Sequence, residues 1–408
     1  MINAIVGQSG GPTAAINASL SGVIRACRES GKIDTLYGSF YGIQGIFDEH
    51  FCSLFDVVPD ENAHLQLELT PASALGSCRK KLPKPDDDGA ETYTKLFEIF
   101  DKHEIKYFFY IGGNDSMDTV HKLSVWAKRI NSDIRFIGVP KTIDNDLSLT
   151  DHTPGFGSAA KYLATSCAEM IRDTEVYTTD AVTIIEIMGR DAGWLTACSA
   201  LARLTDGTAP DFVYLPEVAF SIDAFINDVK EALKTKHNIV IAVSEGVRDE
   251  NGVYVGESSQ SGKTDAFGHK YLSGTGKTLE EIVRERIGCK VRSVEINILQ
   301  RCASHLSSKT DIDESVAVGK YAVELALSGK TGSMAAFERV STKPYVCKCA
   351  EADLDKVANA VRSVPLEFIT PEKNNVTDEC LEWIMPLIQG EVSPEFNNGL
   401  PVHFVIKR

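Results

Sequence analysis

The sequence predicts an α/β chain made of two doubly wound, mainly parallel-sheet domains with a site in the cleft between them. Three observations carry that expectation. Apolar, β-rich runs at residues 107–111 and 135–139 are short enough to be buried parallel strands, and each leads directly into a turn-forming motif. The opening residues 1–6 form an apolar strand followed by Gly7-Gln8-Ser9-Gly10-Gly11-Pro12 and a helical pattern from 13 to 29; strand, glycine turn and helix is an arrangement that cradles phosphate. Strands at 212–215 and 239–244 flank a helix at 221–234, the β-α-β alternation of a second such unit. In open sheets of this kind the chemistry sits at the carboxyl ends of adjacent strands.

Composition narrows the partners. A chain of 408 residues has room for two or three cores, and 43% hydrophobic with 24% charged residues describes a globular protein. A formal charge of −15 argues against nucleic acid or an anionic membrane as a partner. Any phosphate-binding site must therefore gather positive charge locally, as Arg79, Lys80, Lys81 and Lys84 do. The ten cysteines lack metal-like spacing, Cys347-Lys348-Cys349 being the one close pair. With no signal peptide and no long apolar run, reduced thiols in a cytoplasm are expected.

In chain order, residues 38–47 read as a strand and glycine-rich turn, and 51–69 as a surface excursion. Leu75-Gly76-Ser77-Cys78-Arg79 opens a basic loop closed by 86–89, and helices are expected at 90–103 and 117–129. Thr153-Pro154-Gly155-Phe156-Gly157 breaks the chain at a domain boundary. A helix at 158–173, a strand at 181–187 and a helix at 192–203 follow. Residues 256–276 read as a mobile loop and helix cap; Gly276-Lys277-Thr278 and Gly262-Lys263-Thr264 fail as nucleotide loops because Tyr271 and Glu257 stand where glycine is required. A strand at 290–299 and a helix at 315–328 complete the pattern, and no chemistry is legible beyond Pro344.

Two signatures carry the chemistry. In Ile111-Gly112-Gly113-Asn114-Asp115-Ser116, bare glycines let backbone N–H groups approach phosphate oxygens, and a helix beginning near Ser116 adds its positive end. In Gly138-Val139-Pro140-Lys141-Thr142-Ile143-Asp144-Asn145-Asp146, an extended segment puts Asp144 and Asp146 on one side, giving a proton acceptor and a magnesium ligand near one phosphoryl group.

With those motifs in view, the chain resembles the phosphofructokinases. The likeness runs in order through Gly10-Gly11, Gly76-Ser77-Cys78-Arg79, both signatures, Met188-Gly189-Arg190, Glu245 and Gln300-Arg301. It implies Mg2+-dependent transfer of a phosphoryl group to the 1-hydroxyl of fructose 6-phosphate, with Asp144 as base and Lys141 and Thr142 beside it. It assigns Gly11, Arg79 and Gly113 to the phosphoryl donor. Thr142, Ile143, Asp144, Met188, Gly189, Arg190, Glu245, Arg292 and Arg301 are assigned to the sugar phosphate, and Asn114 and Asp146 to the metal. It divides the chain into a donor-binding domain at 1–155, completed by about 302–345, a sugar-phosphate domain at 156–301, and a C-terminal extension at 346–408.

Two positions bear on the donor. Relatives that use ATP have glycine where this sequence has Asp115 and again where it has Lys141, whereas diphosphate-using relatives resemble it at both. A carboxylate at 115 would stand where the α-phosphate of ATP lies; like charges ~4 Å apart at an effective dielectric near 20 repel by about 4 kcal/mol, roughly a thousandfold in affinity. Diphosphate has no α-phosphate, and Lys141 can neutralise charge on the transferred group. The expected activity is a reversible diphosphate-dependent 6-phosphofructokinase. An ATP-dependent 6-phosphofructokinase that tolerates Asp115 and a non-catalytic sugar-phosphate sensor are the alternatives.

Two departures from the family pattern stand out. Asn114 occupies a position that is usually a metal-binding aspartate, so Asp115 and Asp146 are expected to carry the metal electrostatics while Asn114 orients a metal-bound water. Family members that share the sugar site between subunits have an arginine shortly after Arg172-Asp173-Thr174, and residues 177–181 contain none. A homodimer with weak or absent allosteric control is therefore expected.

Overall fold

The structure is a computed structural model that describes residues 2–256, 274–357 and 361–407. Eleven strands form its two main sheets. They are β1 (Asn3–Gln8), β2 (Thr35–Ser39), β3 (Phe51–Ser53), β4 (Ile105–Gly112), β5 (Arg135–Pro140), β6 (Ala181–Ile187), β7 (Phe212–Tyr214), β8 (Asn238–Ser244), β9 (Lys290–Glu295), β10 (Ser333–Thr342) and β11 (Tyr345–Asp353). The larger sheet runs β11-β10-β5-β4-β1-β2-β3, parallel at its centre with antiparallel strands at both edges, and the smaller runs β7-β8-β6-β9, all parallel.

The central strands are apolar on both faces because helices cover both faces. Residues Phe108, Phe109, Tyr110 and Ile111 of β4 are fully buried, contributing alternately to the hydrophobic layers on the two sides of the sheet. The helices Ile16–Ser30 and Lys309–Leu327 pack closely on one face. Two glycines permit that approach: a Cβ on Gly22 would lie 2.1 Å from the Val316 carbonyl oxygen, and one on Gly319 would lie 2.2 Å from that of Ser19.

Strand register decides where the chemistry falls. Ile111 pairs with Val139 and Gly112 with Pro140, while Gln8 pairs with Ile111. The turns after β1, β4 and β5 are thereby placed side by side at the carboxyl edge of one sheet. In the other sheet Ile187 pairs with Ser244, so Met188-Gly189-Arg190 and Glu245 emerge together.

Two expectations need correction. Residues 38–47 are not a strand and turn: β2 ends at Ser39, Tyr41 adopts a left-handed conformation (φ 59°), and Gly42–Phe47 is helical. Residues 51–69 are not a surface excursion. They supply the antiparallel edge strand β3 and the helices Leu54–Val57 and Glu61–Glu68, and they bury Leu54, Val58 and Leu67 completely. The C-terminal extension, 346–408, packs into both cores. It supplies most of β11, and Val364, Ile369, Val376, Leu381, Ile384 and Leu387 fill the core beside the smaller sheet, while Ile406 returns to the core of the larger one.

The glycine-rich stretch read as a loop and cap lies, for residues 257–273, outside the described residues; Gly274 caps the helix Thr275–Arg286. Among the described residues no helix is long and apolar enough to cross a membrane. All ten cysteines carry free thiols.

Candidate active site

A cavity of about 510 Å³ opens between the carboxyl edges of the two sheets. The larger sheet lines it with Gly11, Arg79, Gly113, Asn114, Asp115, Lys141, Thr142, Ile143, Asp144 and Asp146, and the smaller side with Met188, Arg190, Glu245 and Arg301. Of the residues singled out in the sequence, these are the ones brought together. Gly189 shapes the wall from behind. Its φ of 138° is one that side chains rarely adopt, its N–H donates to Glu245 Oε1 at 3.4 Å, and its carbonyl accepts from the Ser244 hydroxyl.

Arg292 does not belong to this set: it is exposed on β9 and does not line the cavity of the single chain. It precedes Val294 on the same face of the strand by two residues, about 6–7 Å. The strand's carboxyl end, not its beginning, points at the site.

The loop 141–146 holds the most perturbed groups. Lys141 is 3% exposed and donates from Nζ to the Gly11 carbonyl at 2.7 Å. Burial lowers its pKa to about 8, against the pull of Asp144 and Asp146 and with the push of Arg301 and Arg79. Asp144 moves the other way: burial, then the Asp146 carboxylate, raise it to about 7, while Lys141, Arg190 and Arg301 hold it down. Glu245, facing them, is pushed up to about 8 by burial and by Asp144. A carboxyl that can exchange its proton near neutrality thus lies beside a cation that can lose one just above it.

The Thr142 hydroxyl accepts the Asp144 N–H at 3.1 Å and bonds to the Asp146 carboxyl. The Thr153 hydroxyl in turn donates to the Thr142 carbonyl at 2.8 Å. Burial raises the pKa of Asp146, against hydrogen bonds from its own backbone N–H, from the Thr142 hydroxyl and from Asn114, whose Nδ2 donates to Asp146 Oδ2 at 3.2 Å. That bond fixes the amide, leaving Asn114 Oδ1 buried and, among the described residues, without a hydrogen-bond partner. An oxygen so placed beside a carboxylate fits a hard cation. Asp115 is occupied elsewhere: Lys81 Nζ lies 3.1 Å from its Oδ1 at the cavity mouth, both side chains more than a third exposed.

The far wall reaches across to the donor turn. A Cβ on Gly11 would meet an Arg301 guanidinium nitrogen at 3.1 Å, so the bare glycine lets that arginine lie against the turn. Asp191 also lines the cavity and is paired with Arg248. Sequence reasoning missed Asp191 and Val361 as lining residues. Asp191 directly follows the Met-Gly-Arg motif and was within reach of it; Val361 carries no local signal.

Both signs of charge interleave in this one cleft at the carboxyl ends of parallel strands, and the phosphofructokinase family model matches residues 3–326. The chain belongs to the phosphofructokinase family. It is 44% identical over 403 residues to the pyrophosphate–fructose 6-phosphate 1-phosphotransferase of Halomonas elongata, covering 98% of this chain and 94% of that one. Crystal structures of pyrophosphate-dependent phosphofructokinases from Marinobacter aquaeolei and Nitrosospira multiformis superpose with TM-scores of 0.87 and 0.88 at 37% and 38% identity. They cover 100% and 98% of this chain, which covers 98% and 95% of theirs.

Proposed function

We propose that the chain transfers a phosphoryl group reversibly from diphosphate to the 1-hydroxyl of fructose 6-phosphate, giving fructose 1,6-bisphosphate and phosphate. The observation that carries the choice of donor is the buried ammonium of Lys141. It is held on the Gly11 carbonyl between the donor turn and the Asp144 loop, and Asp115 stands at the mouth. The likeness to relatives of that activity over nearly the whole chain supports the same reading.

Asp144 takes the proton of the sugar 1-hydroxyl as its oxygen attacks the nearer phosphorus in line. The new P–O bond forms as the bridging P–O bond of diphosphate breaks, and the departing phosphate takes the bridging oxygen. Lys141 and Arg79 neutralise the donor, and Gly11 and Gly113 let backbone approach it. Arg190 and Arg301 hold the sugar phosphate through forked hydrogen bonds, Met188 and Ile143 close around the sugar, and Glu245 accepts from its hydroxyls.

Magnesium, when bound, supplies charge neutralisation across the diphosphate oxygens. Asp146 and Asn114 Oδ1 would hold it; the engagement of Asp115 with Lys81 speaks against the shared role expected from sequence for Asp115. Free thiols and the acidic balance support a cytoplasmic setting, and the lack of an arginine in 177–181 supports a homodimer without strong allosteric control.

The test is direct. Purified protein with magnesium, diphosphate and fructose 6-phosphate should yield fructose 1,6-bisphosphate and phosphate in equal amounts, and the products should regenerate diphosphate. Absence of sugar bisphosphate under these conditions contradicts the proposal.

A further inference from the structure

Residues from 361 onward lie outside the stretch matched by the family model, 3–326, yet they join segments that border the cavity on either side. Val361 lines the cavity and forms a bridge with Leu147, and the Arg362 N–H donates to the Asp146 carbonyl at 2.8 Å. Two residues on, the Val364 N–H donates to Glu217 Oε1 at 2.8 Å. The same oxygen accepts the Gly193 N–H at 2.8 Å, and Gly193 ends the loop that carries Arg190.

One carboxylate oxygen thus ties the chain next to Asp146 to the loop of the sugar-phosphate side. The other, Glu217 Oε2, is buried and has no hydrogen-bond partner among the described residues; a Cβ on Gly193 would come within 2.7 Å of it. Besides these two N–H groups the carboxylate receives a hydrogen bond from its own backbone N–H. The connecting segment is itself braced. The Trp194 indole N–H donates to the Arg362 carbonyl at 3.1 Å, and the Arg362 guanidinium lies 4.6 Å and 5.1 Å from the ring centres of Trp194 and Trp383.

We infer that Glu217 is a positioning residue that, through residues 361–364, couples the Asp146 side of the cavity to the Arg190 side, so that filling the donor site tightens the sugar-phosphate site. The inference rests on the proposed function for the identity of the two ligands. Glu217 touches neither ligand; it sets the distance between the loops that do. By linkage the effect is reciprocal, and couplings of this kind span from about fivefold upward.

The experiment is calorimetric titration of the whole protein with fructose 6-phosphate, alone and with magnesium methylenediphosphonate, a diphosphate mimic that cannot be cleaved. In the wild type the mimic should tighten the sugar phosphate about fivefold or more. Glu217→Ala should reduce that factor to near one, and Glu217→Gln, whose amide oxygen still accepts both N–H groups, should restore it. Arg362→Lys, which keeps the charge but loses the planar stack, should weaken the coupling and serves if the alanine variant does not fold. An unchanged factor in Glu217→Ala, or in Arg362→Lys where only that variant folds, overturns the inference, as does a wild type without coupling. Failure of the wild type to bind fructose 6-phosphate at all removes the proposed function instead, and the inference with it.

Discussion

Lys141 and Asp144 stand three residues apart and are displaced toward each other in pKa, to about 8 and about 7. The free enzyme needs Asp144 without its proton and Lys141 with one, so kcat/KM should trace a narrow bell with limbs near those values. Lys141→Arg should move the alkaline limb out of range, and a profile flat between pH 6 and 9 contradicts the assignment. Stability carries the opposite sign. Native Asp144 keeps its proton above the ordinary 3.8, so the native state holds more protons and this group's contribution falls as pH rises from about 4 to 7. Native Lys141 gives up its proton below the ordinary 10.5, so its contribution rises from about pH 8 upward. Asp144→Asn should therefore abolish turnover while raising Tm at pH 8; a lower Tm there contradicts the buried-charge account.

Asp115 needs a smaller figure than bare Coulomb repulsion gives. Its pairing with Lys81 and its exposure at the mouth offset much of the charge it presents to a nucleotide. Asp115→Gly should tighten ATP about tenfold, near 1.4 kcal/mol, rather than a thousandfold, as measured by calorimetry; no change contradicts the exclusion role. Asn114→Asp would set a second carboxylate where the amide now lies 3.2 Å from Asp146. Magnesium should then half-saturate at lower concentration, and the metal-free protein should melt lower; unchanged magnesium dependence contradicts the assignment of Asn114 to the metal.

At the scale of elements, the crossing of helices Ile16–Ser30 and Lys309–Leu327 supports the turn after β1 from behind. Gly22→Ala should cost about 1–3 kcal/mol, because the Val316 carbonyl stands where the methyl must go; denaturant unfolding that matches the wild type contradicts the close packing. The strands that carry the site were legible because buried parallel strands need unbroken apolar runs, as at β4 and β5. β3 was not, since three residues at an antiparallel edge leave no period to detect. The 38–47 stretch misled because its glycines suggest a turn, whereas positive φ is confined to Tyr41 and Gly42, where the helix starts.

At the scale of the whole molecule, a chain of net charge −15 concentrates Arg79, Lys81, Lys141, Arg190 and Arg301 around one cavity. Most of that set was readable, because the motifs sit at strand ends and the sheets bring strand ends together. Arg292 alone of the two arginines near β9 stays outside the cavity of the single chain, because it stands exposed in mid-strand whereas Arg301 follows the strand's carboxyl end. The C-terminal residues were opaque for a different reason. Val361 and Arg362 reach the site by bridging to the 146–147 backbone, and backbone pairing leaves no trace in side-chain pattern.

The central claim is that this cavity accepts an inorganic donor and disfavours a nucleotide. It is tested most directly by measuring kcat/KM for diphosphate and for ATP side by side at saturating magnesium and fructose 6-phosphate. The account predicts at least a hundredfold preference for diphosphate, about 2.7 kcal/mol in transition-state stabilisation; equal or faster turnover with ATP would contradict it.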